Sequence, residues 1–295
     1  MLDAVTALAR LAHLTAAMIL LGSSLLVFYA PPASQGLIDD KFERRLLVCS
    51  AVVSLLSGLT LAACTVIGLM GVEGLTSPGD LKDIFLETGF GIARLVQLVL
   101  TTAALLAAMR FPRGNGAIIG FAAAALASLA WIGHGAMGEG LMGDVRLATQ
   151  AAHLLGAAMW LGALPTLAAM IVQALRADAW TAADAVLERF SVIGIAAVAV
   201  ILLTGVANAV FILQSPGDLV TTFYGRLLLL KLVFVAGLIG LAVHNRFRLM
   251  PKLEAAAGDQ KAWLSRLQRN VVIEQALGLG VLAAVSVLGM LSPGA

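Results

Sequence analysis

The sequence predicts an all-α integral membrane protein of eight transmembrane helices, built as two parallel four-helix repeats with both termini on the periplasmic side. Three observations carry this reading. Apolar runs of about twenty residues, the length a helix needs to cross the hydrocarbon core, recur eight times. The chain is 60% hydrophobic and only 12% charged, with a mean hydropathy of +0.98, outside the range of soluble globular domains. Motifs of the first half return in the second at a spacing of roughly 140 residues.

Leu8–Tyr29 is long enough to span, and the residues before it lack a basic segment and a small-residue cleavage site, so it reads as a retained helix. Leu46–Met70 holds both cysteines, Cys49 and Cys64, too far apart for a CxxC motif or a disulfide framework. Ile92–Met109 ends on Arg110, and Ala117–Ile132 is short and alanine-rich. The second half supplies Thr149–Val172, Ser191–Leu213, Arg226–Val243 and Val271–Met290. Helices are expected throughout, because lipid cannot satisfy an open sheet edge and the strict alternation of a membrane barrel is absent.

Orientation follows from Lys and Arg in the short connections. Those after the first, third, fifth and seventh runs carry Lys41, Arg44 and Arg45; Arg110 and Arg113; Arg176 and Arg189; and Arg246, Arg248, Lys252, Lys261, Arg266 and Arg269. The others hold few, Lys82 and Arg146 with Arg94 or Arg226 at helix starts. The basic connections are assigned to the cytoplasm, which leaves both termini outside a bacterial inner membrane. The opposite loops lean acidic, with Glu73, Asp80, Asp83, Glu87, Glu139, Asp144 and Asp218, a balance that draws cations. A net charge of +2 is too small to imply a nucleic-acid partner; membrane lipid is the expected surrounding.

The repeat divides the chain into residues 1–140 and 141–295. His13 matches His153, and Gly22 and Gly162 lie nine residues beyond each. Ser77-Pro78-Gly79-Asp80-Leu81 returns as Ser215-Pro216-Gly217-Asp218-Leu219, and Ser57-Gly58 as Thr204-Gly205. Thr88-Gly89-Phe90-Gly91 aligns with Thr222-Phe223-Tyr224-Gly225, which sets Gln97 opposite Lys231. Four spans per half preserve topology, so the expected pseudo-axis runs along the membrane normal.

The chain has four histidines, and His13, His134 and His153 gather at the outer end. Ionisable groups within a membrane mark functional positions by default, and imidazole ligates metals. Across the pseudo-axis, His13 and His153 can face one another and hold an ion or a flat cofactor. The loop from Gly133 to Asp144 adds His134, Met137 and Met142 on a backbone freed by glycines. Imidazole with thioether suits copper, Cu(I) especially, though Cu(II) also accepts imidazole; the alternative is a membrane-surface loop whose methionines touch lipid. Asn208, Lys231 and Cys64 are supporting polar positions of a hydrated vestibule, Lys231 with Glu87 or Asp218 as a partner. Arg10, Arg94 and Arg226 read as hydrogen-bonded glue or snorkelling cations. His244 reads as a headgroup contact, and Glu274 and Gln275 as hydrated groups near the inner interface. No nucleotide-binding loop and no nucleophile–base arrangement is visible, so no enzymatic activity is expected and any transport is driven by a gradient.

Several segments of the second half occur together. They are Ala152-His153-Leu154-Leu155-Gly156-Ala157-Ala158-Met159-Trp160-Leu161-Gly162, Leu203-Thr204-Gly205-Val206-Ala207-Asn208-Ala209 and Tyr224-Gly225-Arg226-Leu227-Leu228-Leu229-Leu230-Lys231. Asn245-Arg246-Phe247-Arg248-Leu249-Met250-Pro251 follows, and Gly133-His134-Gly135 precedes them. In this combination the chain resembles the copper resistance D family of bacterial inner-membrane proteins, from about Trp131 to Leu253 in motif and over the first half in eight-span architecture alone. The resemblance implies copper handling at the inner membrane, a separate periplasmic copper-binding protein as partner, and roles for His134, His153, Asn208 and Lys231. Three readings stand. Copper binds at the outer face and passes toward the cytoplasm; or His13 and His153 ligate haem b in a membrane cytochrome; or copper is bound and sensed without crossing.

Overall fold

The computed structural model describes residues 1–112, 114–132, 140–212, 215, 217–255 and 258–292, and among them there are helices and turns but no strand. Nine longer helices are numbered in chain order: α1 Leu2–Ser24, α2 Asp40–Met70, α3 Gly89–Arg110, α4 Gly116–Ala127, α5 Gly140–Trp160, α6 Leu164–Ala177, α7 Trp180–Ile212, α8 Phe223–His244 and α9 Gln260–Leu288. Among the described residues seven helical segments are long and apolar enough to cross a membrane: α1, α2, α3, Gly140–Ala177, α7, Phe223–Leu253 and α9. The fourth expected span is shorter. It is α4 followed by a 3-10 turn, Ser128–Trp131, below the roughly 20 residues that span unaided.

Helices overrun the apolar runs because capping chemistry, not hydropathy, sets their ends. Asp39 accepts from the Lys41 amide to start α2, Asn115 accepts from Ala117 to start α4, and Thr88 and Thr222 accept from Gly91 and Gly225 to start α3 and α8. The last two caps match in detail. Thr88 donates to the Ile84 carbonyl and Thr222 to that of Asp218. Gly91 and Gly225 each lie so close to the preceding turn that a Cβ would fall 2.0 Å from the Ile84 or Asp218 carbonyl oxygen. The fifth expected span, Thr149–Val172, is interrupted by a 3-10 turn at Leu161–Ala163 before Pro165 opens α6.

α1 is the central helix, packed on α2, α4, α5 and α9. Small residues let these backbones approach: Ala51, Ala104, Ala158 and Ala163 are fully buried between helices. The closest approach joins the halves. A Cβ on Gly22 would lie 2.2 Å from the Gly162 carbonyl carbon, and one on Gly162 would lie 1.9 Å from the Met18 carbonyl oxygen. Ser23 donates to the Gly162 carbonyl at 3.4 Å, Thr166 to Ser23 at 2.8 Å, and Tyr29 back to the Gly22 carbonyl at 3.1 Å. Elsewhere the polarity is inverted relative to a water-soluble bundle: α7 and α8, among the most apolar helices, expose Leu203, Val206, Val210 and Val233. A helix that is apolar all round yet uncovered by protein is covered by lipid. The chain is a multi-pass membrane protein.

Candidate functional site

His13 lies nine residues before the α1–α5 crossing, turned from α1 onto α2, and is only 2% exposed. Its Nδ1 is 2.8 Å from the Ser54 carbonyl oxygen and 3.2 Å from Ser57 Oγ. A carbonyl only accepts, so Nδ1 carries the proton and donates. Ser57 spends its own hydrogen on the Val53 carbonyl, 2.6 Å away, as a serine within a helix does. The ring is therefore the Nδ1–H tautomer with its lone pair on Nε2, and that Nε2 is buried with no hydrogen-bond partner. Gly58 makes room for the ring, since a Cβ there would sit 3.3 Å from His13 Cε1.

His153 on α5 meets α7 in the same way. Its Nδ1 is 2.9 Å from Thr204 Oγ1. The threonine hydroxyl donates to the Val200 carbonyl, so it accepts from the imidazole. The Ile201 carbonyl, in the place of Ser54, also lies within bonding reach. Gly205 leaves 3.4 Å between a notional Cβ and His153 Cε1. Nε2 again holds the free lone pair. A histidine whose Nδ1–H is pinned by an oxygen while Nε2 stays open has the arrangement that orients metal-ligating imidazoles. The two rings are anchored on separate seams, His13 on α1–α2 and His153 on α5–α7.

His153 lines a cavity of about 240 Å³ at the end of the bundle that carries both termini. Its polar lining comes from Arg10, Arg146, Gln150, His153, Asn208, Tyr224 and Lys231, with Met18 and Ala157 also lining it. Asn208 Nδ2 donates to Gln150 Oε1 at 2.9 Å and ties α7 to α5. Arg10 and Met18 belong to the stripe of α1 that faces the cavity, while His13 lies on the adjoining stripe. Met142 is 57% exposed near the start of α5. Cys64 is buried two turns beyond Ser57 on α2. His134 and Met137 lie outside the described residues. Among the described residues no three of His, Cys, Asp and Glu are grouped to hold one metal ion.

Other expectations change. Neither carboxylate expected to pair with Lys231 does so: Glu87 bonds Lys82 at 2.7 Å on the surface, and Asp218 accepts from the amide and hydroxyl of Ser215. Arg94 does not snorkel; it is 4% exposed and donates to Gln97 on its own helix at 3.5 Å. At the opposite end, Glu274 and Gln275 are bonded to protein. Glu274, 3% exposed, accepts from Asn245, whose side-chain oxygen accepts from Asn270, and Gln275 donates to the Leu164 carbonyl. Asn245 opens a π-helical turn, Asn245–Leu249. His244 lies with Arg248, Lys252, Arg266 and Arg269 around Trp263, a basic surface suited to headgroups. Sequence reasoning missed Gln150 and Arg146. Gln150 had a signal, because it precedes His153 by three residues as Arg10 precedes His13; Arg146 had none beyond its charge.

The family model described as copper resistance protein D matches residues 184–288, and that of the copper resistance protein D-like N-terminal domain matches residues 1–145, so the likeness extends through the first half in sequence as well as architecture. The chain is 33% identical to inner membrane protein YebZ of Escherichia coli (strain K12), over 96% of this chain and 97% of that protein. It is 32% identical to copper resistance protein D of Pseudomonas syringae pv. tomato, over 84% and 82% of the two chains. It is also 29% identical to copper transport protein CutJ of Bacillus subtilis (strain 168), over 71% of this chain but 38% of that longer protein. No solved structure matches. With both halves matched by family models, and full-length relatives at one-third identity, the chain belongs to the copper resistance protein D family.

Proposed function

We propose that this chain binds copper at the end of the bundle that bears its termini and passes it toward the cytoplasm. The observation that carries the proposal is the pair of pinned imidazoles. His13 and His153 each donate from Nδ1 and keep the Nε2 lone pair free, which is the form in which imidazole binds a metal. His134, Met137 and Met142 would add imidazole and soft thioether, a donor set suited to Cu(I). Copper is the cargo of this reading, and the names of two relatives, a copper resistance protein and a copper transport protein, support it.

The wider arrangement follows. Eight spans in two parallel repeats, 1–140 and 141–295, place both termini in the periplasm, with basic connections on the cytoplasmic side. The cap-for-cap likeness of Thr88 and Thr222 and the contact of Gly22 with Gly162 support a pseudo-axis between the halves. A separate periplasmic copper-binding protein would deliver the ion to this end. The test is isotopic copper uptake into proteoliposomes with His13→Ala and His153→Ala, alone and together. Uptake should fall in each single variant and be lost in the double. Undiminished uptake in the double variant would defeat the ligand assignment, and no uptake by the wild type would defeat transport.

A further inference from the structure

The copper reading leaves the charge of the cavity unexplained. Among the described residues, the charged side chains lining it are all cations: Arg10 from α1, Arg146 from α5 and Lys231 from α8. Among the described residues no carboxylate lines it. Compensation by the protein is partial. Arg146 lies over the Phe211 ring at 5.1 Å. The Arg10 guanidinium lies against Gly289, at the C-terminal end of α9, where the last carbonyls carry partial negative charge. Yet the Nε atoms of both arginines are buried with no hydrogen-bond partner, and among the described residues Lys231 has neither a hydrogen bond nor an ion pair. The three side chains are partly buried; leaving such a charge unpaired is costly, and like charges facing one small space repel more strongly as water is excluded.

The donors that are free have a definite chemistry. Guanidinium groups present N–H donors in a planar fork that matches an oxyanion, and lysine adds a point charge. Gln150 spends only its carbonyl oxygen, on Asn208, so its amide N–H groups remain for a ligand at the same wall. We propose that this cavity is an oxyanion site, in which a phosphate-class ligand sits between Arg10, Arg146 and Lys231. The phosphate is either free or part of a lipid headgroup; the recognising chemistry is the same. The site stands on the cavity's own charge and does not require that copper be bound. If copper does reach His153, a resident oxyanion would offset the repulsion that three cations impose on it.

The test uses the full chain purified in a non-ionic detergent, without copper. Inorganic phosphate is titrated against sodium chloride at equal ionic strength while thermal unfolding is followed, and native mass spectrometry counts phosphatidylglycerol retained from mixed vesicles with phosphatidylcholine. Wild type should respond to at least one probe, and that response should weaken at least tenfold in Lys231→Met and in Arg146→Gln. Lys82→Gln, a surface cation away from the cavity, should leave it unchanged. A response to phosphate alone identifies a free ion; retention of phosphatidylglycerol alone identifies a lipid. The proposal is overturned if wild type responds to neither probe, if chloride does as well as phosphate and no phosphatidylglycerol is retained, or if both cavity variants bind as wild type does. The two readings fail separately. His-dependent copper uptake without oxyanion binding removes only this one, and oxyanion binding without copper uptake removes only the other.

Discussion

Replacing Gly162 with alanine tests the seam on which the two halves are registered. The added carbon would fall 1.9 Å from the Met18 carbonyl oxygen, against the 3.4 Å at which ordinary van der Waals contact begins, so α1 and the Leu161–Ala163 turn must part by about 1.5 Å. No rotamer relieves this, because the opposing atoms are backbone. Parting also lengthens the Ser23 bond to the Gly162 carbonyl, already 3.4 Å. Overpacking a close-fitted contact costs about 1–3 kcal/mol, and a backbone-to-backbone clash belongs at the upper end, near ~3 kcal/mol. In a bilayer the loss is not recovered by a hydrophobic drive, since helices associate there through packing. Gly22→Ala should cost about as much, since both carbons occupy one gap, and the double variant should cost clearly less than the sum. Reversible unfolding in mixed micelles, read by circular dichroism, measures the difference. Gly120→Ala is the control, because nothing lies within 4 Å of a Cβ there; it should be neutral or stabilising by up to ~1 kcal/mol from helix propensity. Equal stability of Gly162→Ala and Gly120→Ala would refute the close crossing.

Three further outcomes are expected. Thr204→Val removes an acceptor from His153 Nδ1 and should weaken copper binding about tenfold, the lower end for a lost orienting partner, since the Ile201 carbonyl remains; a chelator competition showing no change would deny that the hydroxyl orients the ring. Asn208→Leu strands the Gln150 carbonyl and should cost about 1 kcal/mol, with a double-mutant cycle against Gln150→Leu returning a coupling of similar size; additive losses would mean the pair does not couple α5 to α7. Glu274→Gln keeps a carbonyl oxygen for Asn245 and should stay within about 1 kcal/mol of wild type, whereas Glu274→Leu strands Asn245 and should cost about 1–3 kcal/mol; equal stability of the two variants would show that the bond contributes nothing.

How much was legible can be seen at particular residues. The helical runs were readable because the length and apolarity that membrane insertion demands leave a strong one-dimensional signal. The run Ala117–Ile132 was readable as apolar helix but not as a short α4 ending in a 3-10 turn, since composition marks solubility and not the last hydrogen bond. The pairs His13 with His153 and Ser57-Gly58 with Thr204-Gly205 were visible as strings. That each glycine is the floor under its imidazole, and each hydroxyl its acceptor, needs the distance between two helices. Glu274 read as a hydrated interfacial acid because its position along the helix was legible, whereas the Asn245 side chain that bonds it comes from another helical segment, held in turn by Asn270 one turn before Glu274 on α9.

Sequence alone therefore determined that this is a helical, multi-pass membrane protein, and it marked which histidines, hydroxyls and glycines recur, because period, length and polarity are properties of the chain taken residue by residue. Tertiary structure alone decided that Nε2 is the open nitrogen on both rings, that they sit on separate seams, and that three cations face one cavity. Those outcomes depend on which atoms of distant helices come within about 3 Å of each other, the range over which hydrogen bonds act.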